Sequence, residues 1–149
     1  MSLREQIVED LVSTLRDANN GNIRFVSRKI LSESDFSRQQ YPLVIVGASD
    51  ESRNDLTMTG TSGTRESFLN VTLLGFVSGP KRDIDTLRNQ LIEDVEVAID
   101  ADRTRNSLAL NTELTTVAVE NFDLVDEQKT VGRVDLTIEV HYVYTRGTP

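Results

Sequence analysis

The chain has no cysteine, no tryptophan and a single histidine among its 149 residues. Without cysteine it can hold no disulfide framework and offers no thiolate nucleophile. With one histidine besides, the usual zinc ligand sets are out of reach. No apolar run approaches the roughly 20 residues a helix needs to cross a bilayer. The opening residues Met1-Ser2-Leu3-Arg4-Glu5-Gln6 contain no apolar stretch of signal-peptide type. Cytosolic synthesis and residence, with no membrane partner, is the resulting expectation.

Positive charge is also scarce: 16 Lys and Arg face 24 Asp and Glu, a net charge of −8. That balance argues against wrapping a nucleic-acid backbone, whose affinity depends on cations displacing counterions. Basic residues gather only at Arg24, Arg28 and Lys29 and at Arg103 and Arg105. These read as solvated faces of amphipathic elements, with a local basic patch as the alternative. A hydrophobic share of 38% and a charged share of 27% fit neither a disordered tail nor a membrane protein. The length suits one domain with a real core.

What is present reads as alternating helix and strand. Ser2 and Glu5 have capping-box spacing, and Leu3, Ile7, Val8, Leu11, Val12 and Leu15 recur at helical period up to a stop at Asn19-Asn20-Gly21. Residues 23–27 read as a strand, and Glu33 to Gln40 as polar chain with room for a helical turn. Pro42 to Gly47 is a brief β-branched run, hence a buried strand. Ser49 through Arg65 is small and polar, and includes Gly60-Thr61-Ser62-Gly63-Thr64; it reads as a long loop. Phe68 to Val77 is a strand with Leu69, Val71, Leu73 and Val77 on one face and Phe68, Leu74 and Phe76 on the other.

Ser78-Gly79-Pro80 breaks that strand and opens a second helix, with Pro80 at its first position, running to about Ala101. Its stripe is Ile84, Leu87, Leu91, Ile92, Val95, Ala98 and Ile99, with Asp83, Gln90, Glu93, Asp94 and Asp100 facing elsewhere. Arg88 falls inside the stripe, either laying its stem along the core or pairing with a neighbouring subunit. Thr115 to Val125 and a cleanly alternating strand through Val134, Leu136, Ile138, Val140, Tyr142 and Tyr144 form an antiparallel pair, turning near Asp126 to Lys129. The predicted fold class is α+β: an antiparallel or mixed β-sheet with two amphipathic helices on one face, in the order α-β-β-loop-β-α-β-β, as one domain over residues 1–149.

Catalytic chemistry has little to work with. His141 is the one general acid–base candidate, and it lies on the polar face of the last strand between Glu139 and Val143. A sheet-surface histidine is the simpler reading, because nothing in the sequence places a nucleophile or an orienting group beside it. Residues 60–64 are glycine-containing but lack the lysine of a phosphate-binding loop, and no calcium-loop pattern occurs. The expectation is a non-enzymatic protein with no cofactor and no metal.

The element order, the Pro42-Leu43-Val44-Ile45-Val46 strand, the polar excursion after it, the helix after Gly79-Pro80 and the final strand Val134 to Tyr144 together resemble the tail terminator (tail completion) proteins of long-tailed bacteriophages. The resemblance spans nearly the whole chain and rests on order and length, not on a motif. It implies a structural virion protein of the tail and neck, assembled in the host cytoplasm. Such proteins form a ring, commonly hexameric, that caps the tail tube and joins it to the head connector or stopper, with a tail sheath as a further candidate partner.

DNA would pass through the bore without specific binding, since like charges repel phosphate. The family has no catalytic residues to carry over. Its loop between the second and third strands is an assembly element, and residues 50–67 stand in that place. Asp50, Glu51, Arg53, Asp55, Thr61, Thr64 and Arg65 are therefore candidate interface residues, joined by Arg88. Another head–tail connector component (a stopper or adaptor) and a non-catalytic accessory domain of a cellular protein remain the alternatives; a monomer would favour the latter.

Overall fold

The computed structural model describes residues 2–17, 23–28, 41–57, 63–119, 124–125 and 130–149. It has mixed α and β content: two helices and a six-stranded mixed sheet. Helix α1 spans Leu3–Arg16 and α2 spans Ile84–Asp100. The strands are β1 Phe25–Ser27, β2 Leu43–Asp55, β3 Thr64–Gly79, β4 Asn111–Val119, β5 Leu124–Val125 and β6 Thr130–Thr145.

Strand order is β1-β2-β3-β6-β4, with β5 paired to β6. The β1–β2 pair is parallel and every other pair is antiparallel. At the centre β3 and β6 pair without interruption from Thr64↔Thr145 to Gly79↔Thr130.

Helix α1 starts where its cap dictates. The Ser2 hydroxyl accepts from the Glu5 backbone N–H at 3.2 Å, satisfying one orphan donor of the first turn. The Glu5 carboxylate is instead bidentate to Arg28. The helix ends at Arg16, ahead of the predicted stop at residues 19–21, which lies outside the described residues, as do Glu33 to Gln40 and Asp126 to Lys129. A 3-10 turn over Lys81–Asp83 intervenes between Pro80 and α2, so Pro80 precedes the α-helix by one turn.

Ile7, Leu11 and Leu15 of α1 join Leu91, Val95 and Ile99 of α2 in one buried cluster. The sheet contributes Leu69, Val71 and Leu73 of β3 and Val134, Leu136, Ile138, Val140 and Tyr142 of β6 to the same cluster. These are alternate residues along each strand, as the two-residue period requires. Leu43, Ile45 and Phe76, with Leu74 and Val131, make a smaller cluster apart from it, which accounts for the apolar residues on both faces of β3. Gly75 sits where a Cβ would come within 2.8 Å of the Leu91 side chain and 3.0 Å of Val134. Its absence lets α2 lie close on the sheet.

Further expectations need correction. The segment read as a loop is mostly a β-hairpin: β2 continues through Asp55 and β3 begins at Thr64, pairing Asp50↔Asn70 through Asp55↔Arg65. Small polar residues hid the strands, because no apolar alternation marks them and their pairing comes from long-range partners. Residues 58–62, including Thr61, lie outside the described residues. The strand read as Thr115 to Val125 is two strands, β4 and β5, with β4 starting earlier, at Asn111. Asp94, assigned to the solvated side of α2, is buried, and Gln90 donates to it at 3.1 Å one helical turn away.

The connection from α2 to β4 is equally unexpected from composition. Arg105, Asn106 and Ser107 take positive φ angles of 51°, 57° and 67° in succession. Left-handed backbone costs a non-glycine residue on the order of 1 kcal/mol each. Asp102 offsets that cost by accepting from the backbone N–H of Thr104 at 3.0 Å and of Asn106 at 2.7 Å. The Thr104 hydroxyl, also a donor to Asp102, contributes most to holding its carboxyl below the usual range.

Arg105 itself is fully buried, so the reading of Arg103 and Arg105 as part of a solvated face fails for Arg105. Its guanidinium donates to Asp10 at 3.3 Å, Thr14 at 3.1 Å, the Ile99 carbonyl at 2.9 Å and the Asp102 carbonyl. It therefore ties α1 to the end of α2.

Candidate assembly surface

The predicted interface residues of β2 and β3 converge at one end of the sheet. There β2, β3 and the last residues of β6 run side by side, with Arg53↔Ser67 and Ser67↔Tyr142 in register. Alternation puts Glu51, Ser67 and Tyr142 on the face that carries the main core. The Glu51 side chain is only 6% exposed. One carboxylate oxygen accepts from Arg4 of α1 at 2.9 Å and from Arg53 at 3.0 Å. The other accepts from the Ser67 and Tyr142 hydroxyls.

Burial alone would raise the pKa of Glu51, but the donors from Ser67, Tyr142, Arg53 and Arg4 outweigh it and hold the carboxyl at about 2. Burial, reinforced by the same contact with Glu51, pushes the Tyr142 phenol up. The carboxylate is thus ionised and saturated with four donors. It acts as a strut joining α1, β2, β3 and β6, with no lone pair directed at a substrate.

Further out, Arg53 lies over the Tyr144 ring at 5.1 Å from its centroid, a cation–π contact. Asp55 receives Arg146 at 3.2 Å and stands 3.0 Å from Arg65 Nε, an ion pair that is not aligned as a hydrogen bond. The hairpin end is closed by Leu56 N–H to the Thr64 carbonyl at 2.9 Å and Thr64 N–H to the Thr57 hydroxyl at 2.9 Å. Arg146 donates to the Thr57 carbonyl at 3.0 Å. A Cβ at Gly63 would meet Thr57 Oγ1 at 2.5 Å, so glycine is what lets the chain close this tightly. Next to Asp55 in the chain, Leu56 is an apolar side chain 50% exposed.

The opposite face of the same strands is acidic. Asp50, Asn70, Glu139 and Glu113 occupy one row across β2, β3, β6 and β4. Glu113 sits directly opposite Glu139, a like-charge pairing that weakens a sheet. Arg103 compensates in part, at 3.6 Å from Glu113.

His141 is on this face. Its ring stacks on Phe68 with centroids 4.4 Å apart, and Nε2 lies 3.1 Å from Glu66. A carboxylate and an aromatic ring are its neighbours. Among the described residues, no three His, Asp or Glu side chains are placed to hold a metal ion.

Of the eight predicted residues, Asp50, Glu51, Arg53, Asp55, Thr64 and Arg65 come together here. Arg88 does not: it is buried on α2 against Gly132, where a Cβ would meet its Nε at 2.9 Å. Sequence reasoning missed Arg4, Ser67, Tyr142 and Arg146. The strict alternation of β6 could have placed Tyr142 beside Ser67 had the hairpin been recognised. No family model matches this sequence, and no curated protein is significantly similar to it.

Proposed function

We propose that this protein is a structural virion component that assembles into a ring, caps a phage tail tube and joins it to the head connector. The reading extends to the fold-level likeness, two helices over one face of the sheet, with the polar excursion drawn into a hairpin and three strands in place of the final two. The observation that carries it is the braced hairpin end. A buried, fully paired carboxylate fixes three strands and a helix, and Leu56 is exposed beside Asp55, which pairs with Arg65 and Arg146. Such a hairpin end suits docking better than turnover, because it pairs a small apolar contact with orienting charges. The acidic row Asp50, Glu139 and Glu113, with the net charge of −8, suits a face turned toward passing DNA.

Electron microscopy of the purified protein, alone and mixed with tail tubes, should show rings that seat on tube ends. In a phage carrying Leu56→Asp, subunits should fold and form rings, while tubes grow overlong or stay unjoined to heads. Normal tail lengths and head joining in that phage would remove the hairpin end from docking. A parent protein that stays monomeric and leaves tubes uncapped would overturn the whole reading.

A further inference from the structure

The two ends of the sheet are built differently. Strand β4 is an edge: β6 is its one partner among the described strands. Past the irregularity between Leu114 and Thr116, residues 116–119 run in register with Thr137, Leu136, Asp135 and Val134. From Leu114 to Val119 the sequence is Leu-Thr-Thr-Val-Ala-Val, without a charge, a proline or a glycine. Edge strands are normally blunted by such residues, since an open, β-branched edge templates pairing with another chain.

The outer part of β2 shows the usual protection, with Asp50, Glu51, Arg53 and Asp55 in six residues. On β4 such protection stops at Glu113 and the irregularity after Leu114, and residues 115–119 carry no charge. Val117 and Val119 are instead 44% and 43% exposed, and Val97 of α2, which packs beside this strand, is 52% exposed. Glu93, Glu96 and Asp100 are exposed along the same helix.

At the other end, β1 is an edge among the described strands, three residues long and flanked by exposed Arg24 and by Arg28, which Glu5 holds through two contacts. Between it and α1 lies a cleft of about 390 Å³ lined by Glu9, Val12, Ser13, Arg16, Ser27 and Arg28. One end therefore offers an open strand with an acidic rim, and the other a short edge beside the exposed Arg24.

We infer that the β4 edge and the outer flank of α2 bind the β1–α1 end of a second copy of this chain, adding its sheet edge to edge. The inference rests on the ring reading above and names the contact that closes the ring. Charge decides between the two ways of pairing. A two-fold β4-to-β4 contact would set Glu93, Glu96 and Asp100 against their own copies. Head-to-tail pairing sets them against the exposed Arg24 instead, Arg28 being held by Glu5, and heterologous contacts of that kind form a closed ring when the rotation between copies closes.

Two single variants and their mixture test this by native mass spectrometry. Val117→Lys blocks the β4 face and Arg24→Glu blocks the β1 end; both positions are exposed, and thermal melts check that each variant folds. Each variant alone should lose rings, with subunit affinity weakened by about tenfold or more. An equal mixture should give dimers and nothing larger, because each variant keeps the face the other lacks.

Rings formed normally by Val117→Lys would overturn the β4 assignment while leaving the ring reading intact. Loss of assembly in Val117→Lys with normal assembly in Arg24→Glu would show a two-fold contact and overturn the head-to-tail pairing. A parent protein that never forms rings would overturn both readings. Should Val117→Lys fail to fold, amide exchange of the parent decides. Residues 115–119 should exchange more slowly in rings than in dilute monomer, and equal exchange would refute the contact.

Discussion

Replacing Glu51 by glutamine keeps the shape of the side chain and removes its charge. Four donors converge on that carboxylate, two of them guanidinium groups. Its pKa is about 2 in the folded protein against an ordinary 4.5. At 1.36 kcal/mol per pH unit, that difference places the ionised form's contribution at about 3 kcal/mol. The folded pKa is depressed, so the contribution is present in full above pH 4.5 and is lost as the pH falls through 2.

Glu51→Gln should therefore unfold at lower urea at pH 7, by about 3 kcal/mol, and melt roughly 6–12 °C earlier for a domain of this size. Near pH 2 the parent carboxyl is itself becoming protonated, and glutamine is then close to isosteric with it. The gap between parent and variant should shrink across that window, whatever other carboxyls do, since they titrate in both proteins. Urea titrations at pH 7, 4.5 and 2.5 measure it. A gap that stays constant with pH would mean that the charge of Glu51 contributes nothing, and the strut would be a matter of packing alone.

Arg105→Met should cost about 2–4 kcal/mol by chemical denaturation, because the Ile99 and Asp102 carbonyls lose a buried charged donor and α1 loses its tie to α2. An unchanged midpoint would show that those carbonyls find other partners. Leu91→Ala, at a buried position of α2, should cost about 2–5 kcal/mol, while Glu93→Ala two residues on should stay within about 0.5 kcal/mol. Equal melting shifts for that pair would contradict the observed helix phase.

Periodicity made α1, α2 and β6 legible, because each presents an apolar stripe at its own period, broken in α2 by Arg88. Leu91, Val95, Leu136 and Ile138 could be assigned to the core from the sequence alone, and all four are buried. The hairpin was not legible. Its strands, Asp50–Asp55 and Thr64–Ser67, are polar on both faces, and what orders them is remote: Arg4 from α1 and Tyr142 from β6 meet Glu51 across 47 and 91 residues.

Local patterning carries no trace of such contacts. Arg105 was hidden for the same reason, since an arginine after a helix reads as solvated until Asp10 and Thr14 are brought against it. The candidate site was thus found as a segment, through Asp50, Glu51, Arg53, Asp55, Thr64 and Arg65. Its chemistry was not, because half of the bracing comes from elsewhere in the chain.

The uninterrupted β3–β6 ladder also has a kinetic meaning. Its pairs join residues about 50 to 80 positions apart, with α2 and β4 translated in between. Loops of that span must close before the longest run of sheet hydrogen bonds can form, which places the protein among slow-folding topologies. On the ribosome, α1, β1 and the β2–β3 hairpin emerge well before β6 exists. The centre of the sheet therefore remains an exposed edge until the residues of β6 leave the exit tunnel. During that interval Leu69, Val71 and Leu73 lack their β6 neighbours, and aggregation through β3 competes most strongly with folding.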